Sequence, residues 1–321
     1  MSMSFSIKEQ LLQVYRNIPP VNLNHELSNA ILVAGTGRSG TTWLAQIINH
    51  ANEYRHIFEP FHPERVQEAK ERLNPHSYMP AEWQNEEKRT FVEDVLTGKF
   101  TNSWTNRINK KFISEKRLVK TIHGNFLLKW IREQFPPVSM VLILRHPCAV
   151  AYSKRKTGWW TAPDLEHKYL TQPILREHFL EHVQDKLHLL QSPFEKFVGQ
   201  WCIENLVPLK SLNPKDVHLI FYESLVEHPE RVLPDMFDYL NKPYDETVLA
   251  KAVLPSYTTR PDSPILHQQN VLTEWQMGLT TYEIDRAMEI LEWFGLDKVY
   301  GPGPMPLHDA NKINQYYSFE E

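Results

Sequence analysis

Residues 35–42 read "GTGRSGTT" and follow the apolar run "AILVA". An apolar strand that ends in a glycine-rich turn and opens a helix offers backbone N–H groups and a positive helix end to an anion. Gly35 and Gly40 have the spacing of a nucleoside-triphosphate loop, and Thr42 fills its Ser/Thr place. Where that loop has lysine this chain has Thr41, and the nearby cation is Arg38, inside the turn. The lysine normally reaches the β- and γ-phosphates while an Asp helps to hold magnesium. Here "VLIL" runs into Arg145 and "LIFY" into Glu223. The residues therefore point to an anion other than a magnesium triphosphate: a 5′-phosphate carrying a shorter group beneath Arg38.

A second anion site is written in "VLILRHPCAVAYS". Arg145 ends an apolar run, Pro147 starts a helix, and Ser153 lies two turns along it. A guanidinium fork and a hydroxyl suit a phosphate. Ligands of open α/β sheets bind at the carboxyl ends of the strands, where both motifs would meet.

The elements needed to hold these residues follow from patterning. Short β-branched runs alternate with helical patterns, so the chain is expected to be an α/β protein with a mainly parallel sheet flanked by helices. Strands are predicted over 30–35, 55–59, 117–121, 138–144 and 217–222, several of them continuously apolar, as suits strands covered on both faces. Helices are predicted over 41–50, 125–134, 147–155, 192–212, 229–240 and 281–294, the last opened by a Thr280/Glu283 capping box. Segments 60–116 and 157–195 are too long for plain connections and are expected to hold helices and to form a lid or acceptor wall. Residues 1–321 are read as one domain with its core at about 30–301, and 302–321 as an irregular tail. Hydrophobic residues make up 41% and charged residues 23%, an ordinary soluble composition. A net charge of −4 speaks against a general nucleic-acid binder or a basic membrane-surface protein. Two cysteines cannot build a disulfide framework, and no stretch approaches the roughly 20 apolar residues of a membrane span. The N-terminal residues show no apolar segment of signal-peptide length, so a cytoplasmic protein is expected.

Together "GRSGTTWL" and "LRHPCAVAYS" resemble the 5′-phosphosulfate and 3′-phosphate motifs of sulfotransferases that use 3′-phosphoadenosine 5′-phosphosulfate (PAPS). "LIFYESLVEHPERVLPDMFDYLNKP" resembles a later segment of that family, and the stretch from Trp275 to Gly301 resembles the end of its carbohydrate and protein branches. The resemblance implies a nucleotide-kinase-like α/β fold, PAPS as donor, 3′,5′-adenosine bisphosphate (PAP) as product, and no metal. It implies that Gly37, Arg38, Ser39, Gly40, Thr41, Thr42 and Trp43 surround the 5′-phosphosulfate, that Arg145 and Ser153 hold the 3′-phosphate, and that Tyr222 touches the adenine. Arg38 would stabilise the bridging oxygen, with Lys120 beside it at the transferring group. For the base that deprotonates the acceptor hydroxyl, the "FEPFHP" phrase resembles the Glu-Pro segment of carbohydrate sulfotransferases and puts Glu59 first. His123, in "VKTIHG", resembles the Lys-Thr-His of the small-molecule branch with Ile122 as an extra residue, and His62 is the third candidate. A carbohydrate acceptor is expected, with a lipid, phenol or natural-product hydroxyl as the alternative. Trp104, Trp159 and Trp160 would serve either as stacking platforms or as pocket walls. A nucleotide kinase-like enzyme and a non-catalytic binding protein on the same fold are readings of other classes, opposed by the missing lysine and by the intact Arg38 and Glu59 respectively.

Overall fold

A computed structural model of the chain describes residues 10, 14, 16–73, 76–158, 161–255 and 271–317. Seven strands occur among them: β1 (Val21–Asn22), β2 (Ala30–Gly35), β3 (Tyr54–Phe58), β4 (Ile113–Ser114), β5 (Lys116–Thr121), β6 (Ser139–Leu144) and β7 (His218–Phe221). β1 and β4 form a two-residue parallel ladder, and the other five make one parallel sheet in the order β3-β5-β2-β6-β7. The sheet is covered on both faces, which explains the apolar runs. Along β2, Ala30, Leu32 and Ala34 enter one core cluster while Ile31 and Val33 enter the other. β6 alternates likewise, with Met140, Leu142 and Leu144 on the first side and Val141 and Ile143 on the second. The 19-residue Pro193–Ser211 helix covers the first face, its N-terminus closed by a Ser192/Glu195 capping box. The Thr41–Ile48 and Pro229–Tyr239 helices cover the second. The predicted Thr280/Glu283 box also forms, at the start of the Thr281–Trp293 helix.

The long insertions are part of the core as well as of its rim. In 60–116, the Glu86–Leu96 helix buries Phe91, Val92, Val95 and Leu96. Backbone amides take the carbonyls of Glu93, Asp94 and Val95, and two fully buried arginines of the sheet take those of Leu96 and of Gly98 just beyond the helix. Arg117 Nε donates to Leu96 O (3.2 Å), and Arg55 Nη1 to Gly98 O. In 157–195, short π- and 3₁₀-helical turns bury Leu165, Tyr169, Phe179 and Leu180. Trp159 and Trp160 lie outside the described residues.

Two expectations need correction. The tail is not irregular throughout: Ala310–Tyr317 is a helix. Asp309 Oδ1 accepts the Lys312 amide (2.8 Å), Ile313 is fully buried, and the Tyr317 hydroxyl donates to Gly295 O (2.6 Å). Tyr222 is not strand but the first residue of the Tyr222–Glu227 helix, because the chain turns over the sheet edge there.

His146 caps the Pro147–Thr157 helix and is fully buried. Its Nδ1 accepts the Cys148 amide (3.2 Å), so Nε2–H donates to Gly301 O (2.9 Å) and the ring is neutral. Burial lowers its pKa to about 4. An unfolded histidine titrates near 6.5, so as pH falls below that value only the unfolded chain takes up the proton. Stability should therefore fall from about pH 6.5 to pH 4, with His146 accounting for at most roughly 3 kcal/mol. Urea unfolding against pH should show a smaller slope for His146→Asn, which keeps a capping oxygen; parallel slopes would contradict this assignment.

Candidate active site

The five strands end side by side, and their order dictates which functional side chains meet. After β2, residues 36–40 turn tightly. The Ser39 hydroxyl donates to Thr36 O (2.7 Å), and Gly40 caps the Thr41–Ile48 helix with φ 95°. A side chain at Gly40 would be strained by that φ, and its Cβ would stand 2.7 Å from Tyr222 Cδ2. The first amides of the helix have no preceding turn to bond to and are available to an anion.

Arg38 sits at the crest of the loop with φ 75°, half-buried, and its Nε donates to Ser153 Oγ (3.0 Å). Arg145, at the end of β6, donates from Nη1 to Arg38 O (3.2 Å), and its guanidinium lies 4.4 Å over the Tyr222 ring. Trp43 packs edge-on against the same ring at 5.4 Å and donates from Nε1 to Ala252 O (3.1 Å). The structure thus gathers Arg38, Arg145, Ser153, Trp43 and Tyr222 around the loop. Two cations, a hydroxyl and a helix start lie within one patch, a donor set that fits a nucleotide bearing two separate anionic groups. Among the described residues, no group of three or more His, Cys, Asp or Glu is arranged to hold a metal ion.

On the other side of the loop, β3 and β5 end in register, Phe58 opposite Lys120. The Glu59 amide donates to Lys120 O (2.8 Å), and the chain reverses with φ 45° at Glu59. That reversal turns the carboxylate back over the sheet. Oε1 accepts from the Lys120 ammonium, and Oε2 from the Ile122 amide (2.9 Å). Both side chains are almost fully buried. Trp104 covers the pair, its Nε1 donating to Glu59 O (3.3 Å), while Arg107 (4.4 Å) and Arg65 (5.4 Å) lie over its ring.

His123 follows the extra residue Ile122. Its ring stands 4.9 Å from that of His62 and 5.0 Å from that of His76, and its Nδ1 is 3.2 Å from His76 Nε2. His123 Nε2 is shielded from solvent and finds no hydrogen-bond partner among the described residues. Desolvation holds His123 well below the usual histidine range, aided by His76 and His62. His76 is lowered to about 3, first by desolvation and then by Lys168 and Lys154. Behind His76 is a buried polar group on the Pro193–Ser211 helix: Glu204 Oε1 accepts from Tyr169 Oη (3.2 Å) and Gln200 Nε2 (2.8 Å). Gln200 Oε1 accepts from Lys154 Nζ (3.1 Å). Sequence reading missed His76 and Glu204. Glu204 had a signal, a carboxylate inside the apolar helix "FVGQWCIENLV"; His76, in "NPHSY", had none.

A profile of the sulfotransferase family matches residues 30–246, more than half of the chain. The chain belongs to the sulfotransferase family of PAPS-dependent transferases. No curated protein sequence matches it. Among solved structures, a mouse sulfotransferase complexed with PAP is similar at 16% identity and TM-score 0.43, over 92% of this chain and 90% of that one. A sulfotransferase domain from the curacin biosynthetic pathway is similar at 15% identity and TM-score 0.43, over 87% and 98%. Retinol dehydratase in complex with androsterone and PAP is similar at 14% identity and TM-score 0.43, over 91% and 84%. No described helix is long and apolar enough to cross a membrane.

Removing one partner of a buried ion pair leaves the other charge uncompensated, at about 3–5 kcal/mol. Lys120→Met should therefore lose that much stability in chemical denaturation, and Lys120→Met/Glu59→Gln should recover most of it. Additive losses would mean that the two groups are not coupled.

Proposed function

We propose that this chain moves the sulfuryl group of PAPS to a hydroxyl of a carbohydrate acceptor. The observation that carries the donor side is the Arg38–Ser153 hydrogen bond with Arg145 anchored to Arg38 O, which ties the cation of the 5′ loop to the residues expected at the 3′-phosphate. In this reading the loop amides with Gly37, Ser39, Gly40, Thr41 and Thr42 hold the 5′-phosphate, Arg145 and Ser153 hold the 3′-phosphate, and Trp43 and Tyr222 brace the base side. Arg38 and Lys120 stabilise charge as the S–O bond to the phosphate breaks and a new S–O bond forms to the acceptor, an in-line displacement driven by positioning and electrostatics. No step calls for a metal.

The acceptor's proton goes to His123. Although the Glu-Pro phrase had put Glu59 first, both Glu59 oxygens are engaged, one by an ammonium and one by an amide. His123 keeps a bare Nε2 on a neutral ring. Glu59 then fixes Lys120 at the reacting centre. The acceptor side, over β3 and β5, is polar: Trp104 carries two guanidiniums, and His62 lies against it. Such a wall favours a polyhydroxylated acceptor over an apolar alcohol such as a sterol.

Calorimetric titration should show PAP binding tightly and ATP with magnesium not at all. Arg145→Ala should raise the KM for PAPS by one to two orders of magnitude, about what loss of a charge-assisted phosphate contact costs. An unchanged KM would remove Arg145 from the 3′-phosphate. PAPS turnover against a panel of oligosaccharides, sterols, retinol and simple phenols should sulfate the sugars; sulfation confined to the apolar alcohols would overturn the carbohydrate assignment.

A further inference from the structure

A desolvated histidine is a poor base unless something stabilises its protonated form. Two further groups line up behind His123. His76 Nε2 lies 3.2 Å from His123 Nδ1, and Glu204 Oε1 lies 3.8 Å from His76 Nδ1. Glu204 is itself held by Tyr169 and Gln200. From these contacts we propose that His76 is a positioning residue that accepts from His123 Nδ1 and so fixes its tautomer, while Glu204 behind it stabilises the imidazolium formed during transfer. The proposal rests on His123 being the base.

The proton count is closed by the contacts. For His123 Nε2 to take the acceptor's proton its Nδ1 must carry the other one, which it donates to His76 Nε2. His76 then carries its own proton on Nδ1, towards Glu204. When the acceptor oxygen bonds to sulfur and PAP leaves, the hydroxyl proton is on His123, and the positive charge is spread towards Glu204. No oxidant or further reactant is needed.

The placement of His76 is built for this. Its backbone has φ 68°, a region that a histidine occupies only at a cost. Its carbonyl is gripped by Gln172 Nε2 (2.9 Å), whose Oε1 accepts the Tyr78 amide (2.9 Å). The other charged and titratable groups facing the line are His62 after β3, Lys168 at 3.9 Å from Glu204, Lys154 on the Pro147–Thr157 helix, and the Tyr169 hydroxyl. Among these Glu204 alone favours a cation on His123; Lys168, His62 and His76 oppose it. Losing Glu204 should thus lower the basicity of His123, and losing His76 should release its tautomer, with the donor site unaffected in both cases.

The test is ¹⁵N NMR of histidine-labelled, PAP-saturated protein, with turnover of PAPS measured on whichever member of the acceptor panel is sulfated. Wild type should show His123 as the Nδ1–H tautomer. His76→Phe should lose the fixed tautomer and 10- to 100-fold in kcat, with the KM for PAPS unchanged within about twofold. His76→Gln, which still accepts from His123 Nδ1, should restore the tautomer and part of kcat. Glu204→Gln should lower kcat and move the acid limb of its pH profile to lower pH. An Nε2–H tautomer in wild type, or a wild-type kcat and pH profile in His76→Phe, would overturn the relay. His123→Ala separates the two levels. Full turnover there would overturn the base assignment itself; loss of turnover with intact PAP binding, beside an unaffected His76→Phe, would overturn only the role of His76.

Discussion

The buried Lys120–Glu59 ion pair fixes the geometry where β3 and β5 end, and it depends on strand register. β3 and β5 run parallel with Phe58 opposite Lys120, so a side chain one residue past β3 and the penultimate side chain of β5 emerge at the same height. A slip of one residue would send Lys120 to the opposite face of the sheet. Stability alone does not call for such a pair, since an apolar pair of like volume commonly serves as well or better. Its presence at the carboxyl edge, under Trp104 and beside the glycine-rich loop, fits the proposed chemistry, which needs a fixed cation there.

Strand order then separates the residues proposed for the donor from those proposed for the acceptor. β2, in the centre, delivers the loop and Arg38; β6 and β7, to one side, deliver Arg145 and Tyr222; β5 and β3, to the other, deliver Lys120, His123 and Glu59. The two sets of side chains therefore flank Arg38 from opposite sides, an arrangement that suits the proposed in-line displacement. It follows from the crossover order of the sheet, since the strand after β2 in sequence, β3, does not pair with it but leaves a place for β5.

Much of this was visible in the sequence, for reasons that differ by residue. The loop and the Arg145–Ser153 spacing were legible because both lie within single strand–turn–helix units, where local order fixes what meets. The two-sided burial of β2 and β6 was legible from apolar runs with no polar alternation. The contact between Arg38 and Ser153 was not, because it spans 115 residues. The contacts that engage both Glu59 oxygens could not be read either. "FEPFHP" shows a glutamate at a strand end but not that an amide from the next strand's loop and a lysine would occupy both its oxygens. The tail helix escaped notice because proline and glycine before it mask a short amphipathic turn whose single buried anchor, Ile313, means little until the groove that receives it is known.

Backbone strain was the feature least available to sequence reading. Among the described residues, five that are not glycine have positive φ: Arg38, Asn52, Glu59, His76 and Asn241. Asparagine tolerates that region, and the two asparagines need no special account. The other three are a cation, a carboxylate and an imidazole, each at a cost of the order of 1–3 kcal/mol. All three lie at the carboxyl edge of the sheet or against the groups that end there. Glycine would relieve each of them and would remove its side chain from the site. The chain accepts strain at these three turns because each must reverse sharply while aiming one particular side chain, and a turn that does both cannot be recognised from turn-forming residues alone.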